Sequence, residues 1–171
     1  MTGWPVVVRT DSPEATRAVA ARLAAACGPG DVILLSGDLG AGKTVFAQGF
    51  AAGLGVHGPV TSPTFTLVRQ YDCAAGSVDS LIHADVYRTG SLPEVVDLAL
   101  AELVEERAIA LVEWGEMAAP ALGDDALDIT LEQPASAPDY QRTLTLSGRG
   151  RWAGRGDEVD RLLSSAPARA I

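Results

Sequence analysis

Eight consecutive residues, Gly37-Asp38-Leu39-Gly40-Ala41-Gly42-Lys43-Thr44, follow the pattern G-x-x-x-x-G-K-[ST] in full. Each residue type in that pattern has a task. The glycines let the backbone curl with its amide hydrogens pointing inward, and the following helix adds its positive N-terminal end, so an anion is favoured there. The stretch Asp38, Leu39, Gly40, Ala41, Gly42, Lys43, Thr44 and Val45 is the expected phosphate-binding segment. Lys43 supplies a point charge to the outer phosphates, and Thr44 offers a hydroxyl oxygen to Mg²⁺. Lys43 is the only lysine in the chain; every other cationic side chain is arginine. A compact ammonium fits among phosphates where a planar guanidinium does not.

Mg²⁺ and an attacking water need acidic groups close to those phosphates. In open α/β sheets such groups sit at the carboxyl ends of strands. Two acids occupy that position: Asp85 after Leu81-Ile82-His83-Ala84, and Glu113 after Ile109-Ala110-Leu111-Val112. Either can hold the metal or orient the water, and the spacing does not divide the two tasks. Ser62 and Thr64, in the segment Thr61–Thr66, are candidates for a switch that senses the terminal phosphate through a hydroxyl. His57 and His83 read as packing residues, because neither belongs to a nucleophile motif. Trp114 directly follows Glu113 and is expected to flank the nucleotide or a partner, or to pack half-buried.

Elements must bring these residues together. Trp4–Arg9 alternates like a strand. Asp11-Ser12-Pro13-Glu14 reads as a helix start with Asp11 as the cap, and Gly28-Pro29-Gly30 ends that helix. Val32–Leu35 is a short buried strand leading into the glycine-rich turn, and a helix is expected from Lys43 to Leu54. Phe65–Tyr71 and Leu81–Val86 form two strands joined as a long hairpin through 72–80. A second capping box, Ser91–Glu94, opens a helix over Val95–Glu106. Ile109–Val112 is another buried strand. Leu127–Leu131 and Thr143–Leu146 alternate like edge strands. The pattern predicts a three-layer α/β phosphate-loop fold with a mixed, partly parallel central sheet flanked by helices. Residues 1–147 are expected to form the domain, and residues 148–171 a loose tail with a short helix near Asp157–Leu163.

Composition narrows the class. With 171 residues the chain suits one domain. Thirteen Lys and Arg against 22 Asp and Glu leave a net charge of −9, which disfavours gripping nucleic acid unaided. Cys27 and Cys73 are too few and too far apart for a metal knuckle or a redox pair. No apolar run reaches membrane-spanning length, and Glu14, Arg17 and Arg22 interrupt the Ala-rich stretch that could imitate a signal peptide. A soluble cytoplasmic protein is expected.

Four stretches together resemble the TsaE family, the small bacterial ATPases of tRNA threonylcarbamoyladenosine biosynthesis. They are G-D-L-G-A-G-K-T at Gly37–Thr44, S-P-T-F-T-L at Ser62–Leu67, H-A-D-V-Y-R at His83–Arg88 and E-W-G-E at Glu113–Glu116. The first is shared by many NTPases; the last two are far more discriminating. The resemblance implies weak ATP hydrolysis that serves a threonylcarbamoyl-transferase subunit, TsaD, and its non-catalytic homologue, TsaB. It implies tRNA contact only through that complex. It also implies that Lys43 and Thr44 bind phosphate and Mg²⁺, that Asp85 and Glu113 are the metal and water-activating acids, and that Thr64 lies in the switch. Ala84 stands where the family often has a larger apolar residue.

Two other readings compete. A small-molecule kinase of this class needs a lid carrying several arginines, yet only Arg69, Arg88 and Arg107 fall between Lys43 and Glu113, and they are dispersed. A nucleotide-dependent switch with negligible turnover would carry the same motifs, and is separated from an ATPase by removing Glu113.

Overall fold

In the computed structural model of the chain, which describes residues 3–62, 68–74, 76–85, 107–114 and 124–165, the apolar runs of the sequence become the middle of a sheet. Its strands are β1 (Val6–Thr10), β2 (Val32–Ser36), β3 (Val68–Asp72), β4 (Ser80–Asp85), β5 (Ala108–Glu113), β6 (Ala126–Glu132) and β7 (Arg142–Arg149). The helices among the described residues are α1 (Pro13–Ala24), α2 (Lys43–Gly53) and α3 (Gly156–Ser164). Strand order is β1-β7-β6-β2-β5-β4-β3. β2 runs parallel to both β5 and β6, and β4 parallel to β5. The pairs β1–β7, β6–β7 and β3–β4 are antiparallel. The expected mixed, partly parallel α/β sheet is what forms. The expected helix over Val95–Glu106 lies outside the described residues, as do residues 65–67 of the expected Phe65–Tyr71 strand and Val86 of the expected Leu81–Val86 strand.

β4 and β5 are buried along their whole length and β2 along nearly all of it. Their unbroken apolar runs reflect burial on both faces. Period-2 geometry divides them. Ile33, Leu35, Leu81, Ile109 and Leu111 pack in one cluster with Leu23, Phe46, Phe50 and Val159 from the three helices. Val32, Leu34, Ile82, Ala84, Ala110 and Val112 form a second cluster on the opposite face. α2, which carries the phosphate-loop residues, is pressed against α1: a Cβ at Gly49 would collide with the Arg17 backbone. That close approach fixes where the amino end of α2 points.

Three expectations change. The cap of α1 is Ser12, whose Oγ accepts from the Ala15 N–H at 3.0 Å; it is not Asp11, because Pro13 takes the first helical position and sets the cap one residue before itself. Glu14 sits 3.7 Å from Arg17. β6 and β7 are interior strands, with β1 and β3 at the edges. Their alternation arises because one set of side chains packs under the helices and the other does not, which is independent of edge position.

The third change concerns residues 148–165, which are packed and not loose. Trp152, in a 3₁₀ turn at Gly150–Trp152, is fully buried. Its carbonyl accepts from the Trp4 indole N–H at 3.0 Å, and the Arg155 guanidinium lies 4.2 Å from its ring centroid. Val159 and Leu163 of α3 complete the cluster. Truncation by Trp152→Ala is expected to cost about 3–5 kcal/mol and to lower the melting temperature by roughly 10 °C. A thermal melt within 2 °C of wild type, on the scale of about 2–4 °C per kcal/mol, would show that this turn adds nothing to the core.

Both cysteines are free. Burial, with the Asp31 charge adding to it, pushes the Cys27 thiol far above its usual range, so it serves as a small packing side chain.

Candidate functional site

The turn between β2 and α2 closes with Gly42 at φ +104°, a left-handed conformation that glycine adopts freely. No side chain caps α2. The first-turn amides of a helix have no intrahelical acceptor, so they and the helix dipole favour an anion at this end. Lys43 opens α2 and is buried. Its ammonium donates to the carbonyls of Gly37 at 2.5 Å and Asp38 at 2.9 Å, and stands 4.1 Å from the centroid of the Trp114 ring. Trp114 holds a left-handed φ of +61°. For a bulky residue that costs on the order of 1–3 kcal/mol, and such strain concentrates at functional sites. Here it accompanies an indole laid over the charge of Lys43.

The sheet brings the acids to the same place. β2, β4 and β5 run parallel, so their carboxyl ends share one edge, with Leu35 opposite Glu113 and Glu113 opposite Asp85. Glu113 is 2% exposed and Asp85 7%. Glu113 Oε1 accepts from the Thr44 hydroxyl at 3.4 Å, and Oε2 accepts from the Ser62 hydroxyl at 3.4 Å. One carboxylate therefore touches both the phosphate-loop threonine and the segment expected to act as a switch. The cleft lined by Leu39, Gly40, Gly42, Lys43, Thr44, Val45, Ser62, Asp85, Glu113 and Trp114 has a volume of about 470 Å³. A larger cleft, about 1000 Å³, lies against Asp38–Ala41 and Thr130–Ala135. It contains neither Lys43 nor Thr44, which both line the smaller one.

Most of the expected site converges. Lys43, Thr44, Asp85, Glu113, Ser62 and Trp114 line one cleft with Leu39, Gly40, Gly42 and Val45; Asp38 and Ala41 belong to the same loop. Thr64 lies outside the described residues. His83, read from sequence as a packing residue, is fully buried, but its Nε2 lies 3.4 Å from Glu113 Oε2. The signal for that contact was present: in strands, residues two apart share a face, so His83 and Asp85 project together and Glu113 projects beside them. Arg142 also reaches the phosphate loop, as described below, and no motif announces it.

The donors offered to a metal are oxygens: the Thr44 hydroxyl and the Asp85 and Glu113 carboxylates. That set suits Mg²⁺, which is held through one or two carboxylates plus substrate phosphate. Among the described residues no group of three or more His, Cys, Asp and Glu side chains forms a metal cage. None of the described helices is long and apolar enough to cross a membrane. Of the arginines weighed for a kinase lid, Arg107 is held at Ser77 O and 3.8 Å from Asp79, and Arg69 lies on edge strand β3; Arg88 lies outside the described residues.

The family model for the threonylcarbamoyl adenosine biosynthesis protein TsaE matches residues 10–144. The chain is 42% identical over 142 residues to the tRNA threonylcarbamoyladenosine biosynthesis protein TsaE of Bacillus subtilis, covering 83% of this chain and 85% of that one. It is 41% identical over 140 residues to the protein of the same name from Streptomyces coelicolor, covering 80% of this chain and 93% of that one. Among solved structures it is similar to the crystal structure of Bacillus subtilis YdiB, with a TM-score of 0.71 at 36% identity over 94% of each chain.

Proposed function

The chain belongs to the TsaE family, and on that premise we propose that it is a Mg²⁺-dependent ATPase acting in tRNA threonylcarbamoyladenosine biosynthesis. It works in the cytoplasm with the threonylcarbamoyl-transferase subunit TsaD and its homologue TsaB. It reaches tRNA only through them, consistent with its net charge of −9. Hydrolysis resets or activates that complex. The observation that carries the ATPase reading is the meeting of Thr44 from the phosphate loop with Glu113 from β5 across 3.4 Å in a cleft that also holds Lys43.

The residues divide the work by position. The amides opening α2 and the Lys43 ammonium bind the phosphates. Thr44, Glu113 and Asp85 would hold a Mg²⁺ ion, which would supply charge neutralisation to the phosphate oxygens. Glu113 and Asp85 also orient the attacking water, and neighbouring strands about 4.8 Å apart keep them side by side. Ser62, held to Glu113, links the switch segment to that carboxylate. Substituting Thr44→Ala is expected to move the Mg²⁺ dependence of ATP binding upward by about tenfold, since one oxygen donor is lost. An unchanged Mg²⁺ titration removes Thr44 from the ligand set.

The test is ATP hydrolysis by the purified chain, alone and with TsaD and TsaB. The expected result is a low rate alone that rises with the pair and disappears in Lys43→Ala. A rate indifferent to the pair contradicts partner stimulation, and phosphoryl transfer to a small-molecule acceptor would replace the ATPase reading with a kinase.

A further inference from the structure

Arg142 belongs to none of the motifs that define the site, yet its guanidinium grips the phosphate loop. Its Nε donates to Ala41 O at 2.9 Å and its Nη2 to Gly40 O at 3.1 Å. Its Nη1 donates to Asp139 O at 2.5 Å and Gln141 O at 2.7 Å. All four acceptors are main-chain carbonyls, two from the loop and two from the turn before β7. The backbone of Arg142 is itself fixed, since it pairs with Thr10 of β1 at the start of an interior strand. The loop is thus tied to the sheet by one planar fork of donors.

We propose that Arg142 is a positioning residue that holds the phosphate loop in its anion-accepting form before nucleotide arrives. This rests on the ATPase reading above. The C=O and N–H of a trans peptide point in opposite directions. Drawing the Ala41 carbonyl to Arg142 therefore turns the Gly42 N–H to the opposite side of the loop. Without the fork, a glycine-rich turn samples many conformations, and ordering it must be done at the expense of binding. Arg142 touches no reacting atom, so its effect falls on nucleotide affinity and not on turnover of bound nucleotide. Lysine is a partial substitute, because an ammonium has three donors and no fixed fork geometry.

The test compares wild type with Arg142→Lys and Arg142→Met in the full chain. Binding of Mg²⁺ and a non-hydrolysable ATP analogue is measured by calorimetry, KM and kcat by steady-state hydrolysis, and amide hydrogen exchange without nucleotide. Expected are faster exchange at residues 40–43 with β2 and β5 unaltered, and a KM about tenfold higher for Arg142→Met with an intermediate value for Arg142→Lys. The kcat is expected to stay within about twofold of wild type. Unchanged affinity in both variants overturns the proposal, as does a fall in kcat at fixed KM. If Arg142→Met does not fold, Arg142→Lys alone decides on the same readings. Wild type that binds no ATP overturns the ATPase reading instead, and the exchange data still say whether the fork orders the loop.

Discussion

Lys43→Ala is expected to abolish measurable ATP binding while the fold survives. The ammonium is the sole lysine charge in the chain, and the loop delivers it into the cleft against Trp114 and two carbonyls. Charge-assisted contacts to phosphate are the strong ones in such a site, and losing one here should weaken binding by at least about a hundredfold. Lys43→Arg is expected to fail as well, since a planar fork does not fit a space shaped for a point donor. Calorimetric titration with ATP and Mg²⁺ reads the loss, and a melting curve confirms the fold. If the alanine variant binds ATP as wild type does, the phosphate assignment of the loop is wrong.

Glu113→Gln is expected to separate binding from hydrolysis. Glutamine keeps the shape that meets Thr44 and Ser62 but loses the negative charge that draws on a metal and a water. Removing a group that positions or activates water lowers turnover by about 10²–10⁴, while ATP still binds through Lys43 and the loop amides, with a higher Mg²⁺ requirement. This variant also decides between an ATPase and a switch without turnover. If binding alone does the work, Glu113→Gln sustains threonylcarbamoyladenosine formation in a reconstituted system; if hydrolysis is required, formation stops with ATP still bound.

The parts of the site legible in the sequence are those whose signal is local. The phosphate loop is contiguous, so its strand, turn and helix were all visible between Val32 and Leu54. Asp85 and Glu113 are visible because each terminates an apolar run, and period-2 alternation places both on the face that packs against α1 and α2. Long-range facts left weaker traces. β6 and β7 alternate as edge strands do, yet β6 is interior because it pairs with β2 and β7, and β7 because it pairs with β6 and β1. Trp152 sits in a Gly- and Arg-rich stretch that reads as loose. Its burial depends on Trp4 and the helices, which local composition does not report. Arg142 was illegible for another reason: its partners are carbonyl oxygens, which every residue carries. The Ser12 cap lay one residue from the expected one, where two good capping residues stand side by side.

The pairing of β1 with β7 has a consequence for the order in which the molecule can be built. β1 is made well before β7, its sheet partner among the described strands and the last of them in sequence; the Trp4–Trp152 hydrogen bond spans 148 residues. At about 5–20 residues per second, β1 therefore waits on the order of ten seconds or more with both edges unpaired, the condition under which strands associate with the wrong chain. Its shortness, five residues including Arg9, limits that hazard. β1 can close onto the sheet only after β7, and with it Arg142, has been made, so the phosphate loop acquires its tether later than the strand and helix that flank it.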